Sequence, residues 1–317
     1  MQLRETSLLS RWNKKTSVGW RAGFFPGEGM AALALVQSRA GQRPLLKYCG
    51  SHATDDISPG QILSTYLNGR TLSHSAVSAV IASDAYQLVQ VEAPDVPATE
   101  LRAAVRWKLR DLINFPVEDA VVDVFDTPPS PRQGREKMLY AVAARSQAVT
   151  DMVNLVKPRA RGFDVIDIPE LCLRNLSALL PQNERGVALL TLDHGVAQLL
   201  LTRQGTLYLS RRIELQRRGY GEGQFDTATL ALEIQRSMDY YESHFDLPAI
   251  TSLVIASSDA SSQTLATQLK SETSLNIGFF EPQHYFEIAD GTAIDTSWHG
   301  LIALGAALRS SSMELTQ

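Results

Sequence analysis

Cysteine is nearly absent: Cys49 and Cys172 are the only two in 317 residues. They stand far apart and outside any C-x-x-C spacing, which excludes a disulfide framework and a cysteine zinc site and fits a reducing cytoplasm. No apolar run reaches the roughly 18 to 20 residues a membrane helix needs; the best candidates are broken by Asp84, by Asp193 or by polar turns. The opening MQLRETSLLSRWNKK has only Leu8-Leu9 as an apolar patch and no small-residue cleavage site, so it does not read as a secretory signal. A basic excess is missing too. Lys and Arg number 30 against 34 Asp and Glu, the net charge is -4, and the basic residues fall in short clusters. That balance argues against nucleic acid as a partner. Neither a G-x-S-x-G nucleophile elbow nor a P-loop is present, and no two of the six histidines lie at a metal-binding i, i+4 spacing, so no metal site is assigned.

What is present describes an ordinary globular protein: 44% hydrophobic and 20% charged residues, in a length that allows about two domains. Residues 187 to 212, VALLTLDHGVAQLLLTRQGTLYLSRR, read as an apolar strand, a break at Asp193-His194-Gly195, and a second apolar strand. Residues 17 to 36, SVGWRAGFFPGEGMAALALV, have the same layout, and two such hairpins suggest a duplicated fold. Between them, strand-like runs at Ala31–Val36, Val77–Ile81 and Ala85–Val91 flank a helix at Pro59–Asn68. After EAPDVP, Thr99 is positioned to cap a helix through ELRAAVRWKLRDLINF, whose apolar residues Leu101, Ala104, Val105, Leu109, Leu112 and Ile113 form one stripe. AVVDVFD and MLYAVAAR then form a hairpin with a long loop, so the block at about 95–145 reads as an inserted helix-plus-hairpin subdomain. Helices from Ser146 and Pro169 enclose the strand FDVIDI, and the second hairpin is followed by helix, strand, helix and the closing HGLIALGAALRS. The order predicts an α/β protein in two similar halves.

Asp193 and Gly195 have the arrangement of a phosphate turn, in which a small residue admits backbone N–H groups to phosphate and a carboxylate organises Mg²⁺. Asp and Gly are equally the residues of a plain hairpin turn, and both readings stay open here. Arg102, Arg106 and Arg110 share a helix face, and with Trp107 they form either a docking surface for an acidic or amphipathic peptide or a solvated charge row. Glu118, Asp119 and Asp123 read as surface charge. Trp12 with Arg11, Lys14 and Lys15 reads as part of a flexible leader over residues 1–16.

Several stretches resemble, in order, segments of PilM-type proteins: VPATELRAAVRWKLRDLINFPVEDAVVDV, YAVAARSQAV, FDVIDIPELCLRNL, GTLYLSRRI, LALEIQRSMDYYES and HGLIALGAALRS. They look most like the MshI branch, associated with biogenesis of the mannose-sensitive haemagglutinin pilus. The resemblance implies an actin-like ATPase fold of the ribonuclease H-like kind, with a first half at 17–165 and a second half at 166–317. It also implies a cytoplasmic protein, peripheral at the inner face of the inner membrane, that binds the cytoplasmic tail of a PilN-like bitopic protein. A cytoplasmic pilus assembly ATPase and a second copy of the chain are further partners it suggests. The groove for the tail would lie between the first subdomain and the insert, with Val105, Arg106, Trp107 and Arg110 as candidate contacts.

Departures from the family pattern bear on ATP and Mg²⁺. Where the family's first phosphate turn reads approximately V-G-I-D-I-G-S, the sequence was matched at Val18 to Phe24, which puts Arg21 in place of the acidic residue and Phe24 in place of a small polar one. At the adenosine turn, Ile255-Ala256-Ser257-Ser258-Asp259 stands for a Gly-Gly pair, and only Gln216 to Ala228 fills the place of a cleft-walling helical segment. The second turn keeps Asp193 and Gly195. These features predict a scaffold without ATP hydrolysis and without a cofactor, a pseudo-ATPase; the alternative is an ATP-binding or ATP-hydrolysing switch that uses Asp193 to hold Mg²⁺.

Overall fold

A computed structural model describes residues 19–309 except 28, 40, 56, 68–74, 132–136, 194, 216–225 and 260. The first half opens with three antiparallel strands, β1 (Trp20–Pro26), β2 (Met30–Gln37) and β3 (Leu45–Ala53), then α1 (Pro59–Leu67) and β4 (Ala76–Val80). An insert follows, made of β5 (Tyr86–Glu92), α2 (Leu101–Lys108), β6 (Ala120–Asp126) and β7 (Met138–Arg145). The first half resumes with α3 (Ser146–Val156), β8 (Gly162–Asp167) and α4 (Pro169–Ser177). The second half repeats the plan without the insert: β9 (Val187–Asp193), β10 (Val196–Arg203), β11 (Thr206–Glu214), α5 (Thr227–Phe245), β12 (Ser252–Ala256), α6 (Ser262–Glu272) and β13 (Asn276–Phe279). It ends with α7 (Pro282–Tyr285), β14 (Glu287–Ile288) and α8 (Trp298–Ala307).

The duplication is explicit in the sheets. Strand order β3-β2-β1-β4-β8 in the first half recurs as β11-β10-β9-β12-β13 in the second, with antiparallel meanders on one side and parallel strands on the other. β2, β9 and β10 are buried almost end to end, which explains why MAALALVQ and VALLTLD are continuous apolar runs: both faces of each sheet are covered. α8 is apolar all round because it is buried all round, with eight of its residues inaccessible. It packs on β1, β2 and α4, and the core around it takes in residues of both sheets, Ala34 and Leu189 among them, beside Leu176 of α4. β14 crosses back to pair with β3. The C-terminal elements therefore tie the halves together.

Three differences from the sequence reading have physical causes. The expected helix through Phe115 ends at Lys108, and the chain continues in turns, with Leu112 N–H on the Leu109 carbonyl; Pro116 bars only Phe115 from helical geometry. Its N-cap is Glu100, which makes no side-chain capping bond, and not Thr99. The insert's own three-stranded sheet, ordered β5-β7-β6, begins at Tyr86, so the Ala85 run belongs to it and not to the first sheet. The 1–16 leader with Trp12, the residues Gln216–Phe225 and His194 lie outside the described residues.

Candidate functional site

The two hairpin turns face a cleft between the halves, and α8 begins there. Asp193 pairs with Val196 at the end of the β9–β10 hairpin, and Gly195 takes φ 89°, the left-handed geometry that a two-residue hairpin connection demands. The Gly195 carbonyl accepts from the Leu215 N–H at 2.7 Å, anchoring the turn to the end of β11. In the first half the turn falls after Pro26: Pro26 pairs with Ala31, and the Gly27 N–H donates to the Met30 carbonyl at 2.8 Å.

This register corrects the placement of the first phosphate turn at 18–24. Arg21 to Phe24 lie within β1, paired to Val36 through Leu33 on one side and Ala76 through Ala79 on the other. Phe24 is wholly buried in the core of the first half, where it cannot crowd a ligand. Gly23 is small because α8 crosses it: an added Cβ would lie 1.9 Å from the Ala303 carbonyl oxygen. Arg21 donates to the carbonyl of Arg309 at the end of α8, and burial pushes its guanidinium pKa down against the opposing pull of Asp164. Arg309 in turn pairs with the buried Asp167 at 2.6 Å. Arg21 thus belongs to an inter-half charge cluster, and it does not replace a turn carboxylate.

The start of α8 occupies the space between the two turns. Ser297 caps it by accepting from the Gly300 N–H, His299 stacks on Phe25 with centroids 5.4 Å apart, and the His299 ring lies against Gly27. Trp298 reaches the other turn. It lines a cavity of about 30 Å³ with Ser83, Asp193, Val196, Gln198 and Arg212. Small-molecule sites occupy about 300 to 1,000 Å³, whereas a volume of this size suits about one water. Among the described residues, those around Asp193 thus enclose about the space of one water. Beneath the cleft, Glu170 on α4 accepts from the buried Tyr86 hydroxyl, and burial raises its carboxyl pKa. At Ser257 to Ser261, the stretch expected to stand for an adenosine turn, the Asp259 N–H donates to Ser257 Oγ at 3.0 Å and the Ser261 N–H to Asp259 Oδ1 at 2.8 Å, so side-chain oxygens bind the backbone here.

The insert brings together a different set. Val105, expected to contact a partner, is fully buried with Leu109 against Val91, Leu139 and Ala141; it is core, and the candidate is withdrawn. The arginine row grips the insert itself. Arg102 pairs with Asp123 at 2.8 Å, Arg106 donates to the Glu118 carbonyl at 2.7 Å, and Arg110 lies 3.9 Å from the Glu118 carboxylate and over the Trp107 ring at 4.7 Å. All are exposed or half-exposed, so each contact contributes about 0 to 1 kcal/mol. Trp107, 68% exposed, lies on the outer side of α2 beneath Arg110, and Leu112 is 51% exposed.

The sequence reading missed the sheet's other face. Ladder registers place Tyr86 and Leu88, Val142 and Ala144, and Val121 and Phe125 on the side away from α2. Tyr86 and Ala144 are buried in the core of the first half, while Leu88, Phe125 and Val142 remain partly open and Val121 is 36% exposed. Beside them Tyr140 stacks on Phe125 at 5.0 Å, and burial pushes its hydroxyl pKa up to about 12. The signal was present in AVVDVFD, where Val121 and Phe125 flank Asp123 on the second face.

Duplicated sheets, a shared cleft and an insert after β4 define the class: the chain has an actin-like ATPase fold. It is similar to the solved structure of a PilM-PilN type IV pilus biogenesis complex, with a TM-score of 0.64 and 18% identity over 91% of this chain and 97% of that one. It is also similar to a Bacteroides thetaiotaomicron protein described as having an actin-like ATPase fold and unknown function, with a TM-score of 0.50 and 9% identity over 86% and 93% of the two chains. No protein-family profile matches the sequence, and no curated protein does.

Proposed function

We propose that this chain is a cytoplasmic scaffold for assembly of a type IV pilus of the mannose-sensitive haemagglutinin kind, held at the inner membrane by the cytoplasmic tail of a PilN-like protein. The likeness to a protein solved in a PilM-PilN complex carries this reading, since coverage of 91% takes in both halves and at least part of the insert. Among the described residues no helix is long and apolar enough to cross a membrane, which agrees with attachment through a partner. The tail lies extended on the inner face of the insert, its apolar side chains against Val121, Phe125 and Val142. β6 is an edge strand whose outer rim offers backbone groups to a peptide. The chemistry is recognition without ATP hydrolysis, supported by the small cavity at Asp193 with Trp298 in its wall.

The test is calorimetric titration with a synthetic peptide of the partner's cytoplasmic tail. Phe125→Ala is expected to weaken binding about 10- to 100-fold, the range for losing a central aromatic anchor, and Trp107→Ala to leave it within about 2-fold, the effect of a peripheral contact. The reverse pattern would move the site to Arg106, Trp107 and Arg110 on the outer face. No binding by the unmodified protein would sink the tail reading.

A further inference from the structure

We propose that Tyr140 makes the insert a clasp across the molecule, coupling what is seated on the insert's inner face to the insert's hold on the second half. The idea rests on the tail-site reading above, but the contacts that carry it are independent of any partner. Tyr140 is 4% exposed, and its hydroxyl also has the Gln90 side chain of β5 as a hydrogen-bond partner. Its ring stacks on Phe125 at 5.0 Å, and its hydroxyl donates to the Tyr208 carbonyl at 3.1 Å.

Tyr208 is placed for this contact by a β-bulge. Leu201 pairs with Leu209 but Thr202 with Leu207, so Tyr208 is the extra residue on the edge strand β11, and a bulge residue is left out of the ladder. The Tyr208 ring packs edge-on against Tyr241 and Phe245 of α5, with centroids 5.1 and 4.9 Å apart, so the acceptor is fixed to the core of the second half. A second contact runs parallel to it: Ser130, in the loop after β6, donates its hydroxyl to the His244 carbonyl on α5. Further along β11, Arg212 lines the cavity at Asp193.

A ring this buried moves only with its neighbours. A side chain seated against Phe125 therefore acts on the Tyr140 hydroxyl, and through it on the contact with β11. The coupling is reciprocal: tightening of the halves preorganises the Phe125 surface for its ligand.

The experiment uses the full chain with spin labels at Asp111→Cys in the insert and Glu242→Cys on α5, both exposed, since Cys49 and Cys172 are buried. Pulsed dipolar spectroscopy reads the distance between them. One narrow distribution is expected for the parent. Tyr140→Phe keeps the stacked ring and removes the donor, and the population at longer distance is expected to rise about 2- to 10-fold, the effect of one hydrogen bond. Phe125→Ala, which removes the ring stacked on Tyr140 and leaves its hydroxyl in place, is expected to shift the distribution the same way, while Leu112→Ala on the outer face leaves it unchanged. Unchanged distributions in both Tyr140→Phe and Phe125→Ala would overturn the clasp, as would equal broadening in Leu112→Ala. Failure of the tail peptide to bind, with these shifts present, would count against the partner and leave the clasp standing.

Discussion

At the scale of single residues, the contacts between the halves combine charge with burial. Glu170 sits at the start of α4 with its carboxyl on Tyr86, near Asp167, whose charge also raises its pKa, and Arg212, which opposes the rise. Burial is the largest cause, so the folded protein favours the protonated acid. The sign follows: the folded state binds this proton more tightly than the unfolded chain, so stability from Glu170 is full below its ordinary value of 4.5 and is lost as pH rises toward the elevated one. Glu170→Gln keeps the acceptor for Tyr86 and removes the titration. Thermal melts should therefore show Glu170→Gln above the parent at pH 8, with the difference shrinking toward pH 4.5; an equal offset at both would show that the carboxyl titrates normally. Arg309 is raised as well, but through the attraction of Asp167 for its charged form, so its charge is retained throughout this range.

At the scale of elements, α8 and the first hairpin show what could and could not be read from sequence. The two hairpins announce duplication, because a hairpin is a signal of local pattern, whereas HGLIALGAA has no marked face and is placed as a buried helix only by the structure. The site was less legible. Asp193 and Gly195 lie at the hairpin turn that their short signature predicts, but the first turn, expected at 18–24, falls after Pro26, where the strand ends. Gly19 and Gly23 resembled turn glycines, and only the crossing of α8 reveals that Gly23 serves close packing. Likewise Val105 and Trp107, two apart on one helix, looked alike until the sheet beneath α2 made one core and the other surface. Tyr208 had no local signal, because its bulge is defined by the strand beside it. These assignments can be checked at Gly23. A Cβ there would lie 1.9 Å from the Ala303 carbonyl and 2.5 Å from the Ala307 nitrogen, both backbone atoms with little room to yield. Overpacking of this kind costs about 1 to 3 kcal/mol, so Gly23→Ala should lower the urea midpoint by about 0.5 to 1.5 M at an m-value near 2 kcal/mol/M. A phosphate-turn glycine at the surface would instead tolerate the change.

At the scale of the whole molecule, the question is whether the cleft opens. The halves are joined at the back by α4, α8 and the Arg309–Asp167 pair, at the side by β14 on β3, and at the front by the insert on β11. Between them Trp298 borders a cavity of about 30 Å³ beside Asp193. Nucleotide entry would have to displace Trp298 from that cavity and His299 from Phe25, and to separate β11 from the insert. A ligand shifts such an equilibrium only by its differential affinity for the open state, and the apparent affinity falls by the fraction of molecules that are open. The scaffold reading therefore predicts no heat when the full chain is titrated with millimolar ATP and Mg²⁺. Micromolar binding that disappears in Asp193→Ala would instead make the β9–β10 turn a phosphate loop and the protein a switch. Trp298→Ala separates the remaining cases. If it creates binding that Asp193→Ala then removes, the turn has kept its chemistry and the indole is the gate; if it creates none while the protein stays folded, the turn serves the hairpin alone, and the responsive part of the molecule is the insert.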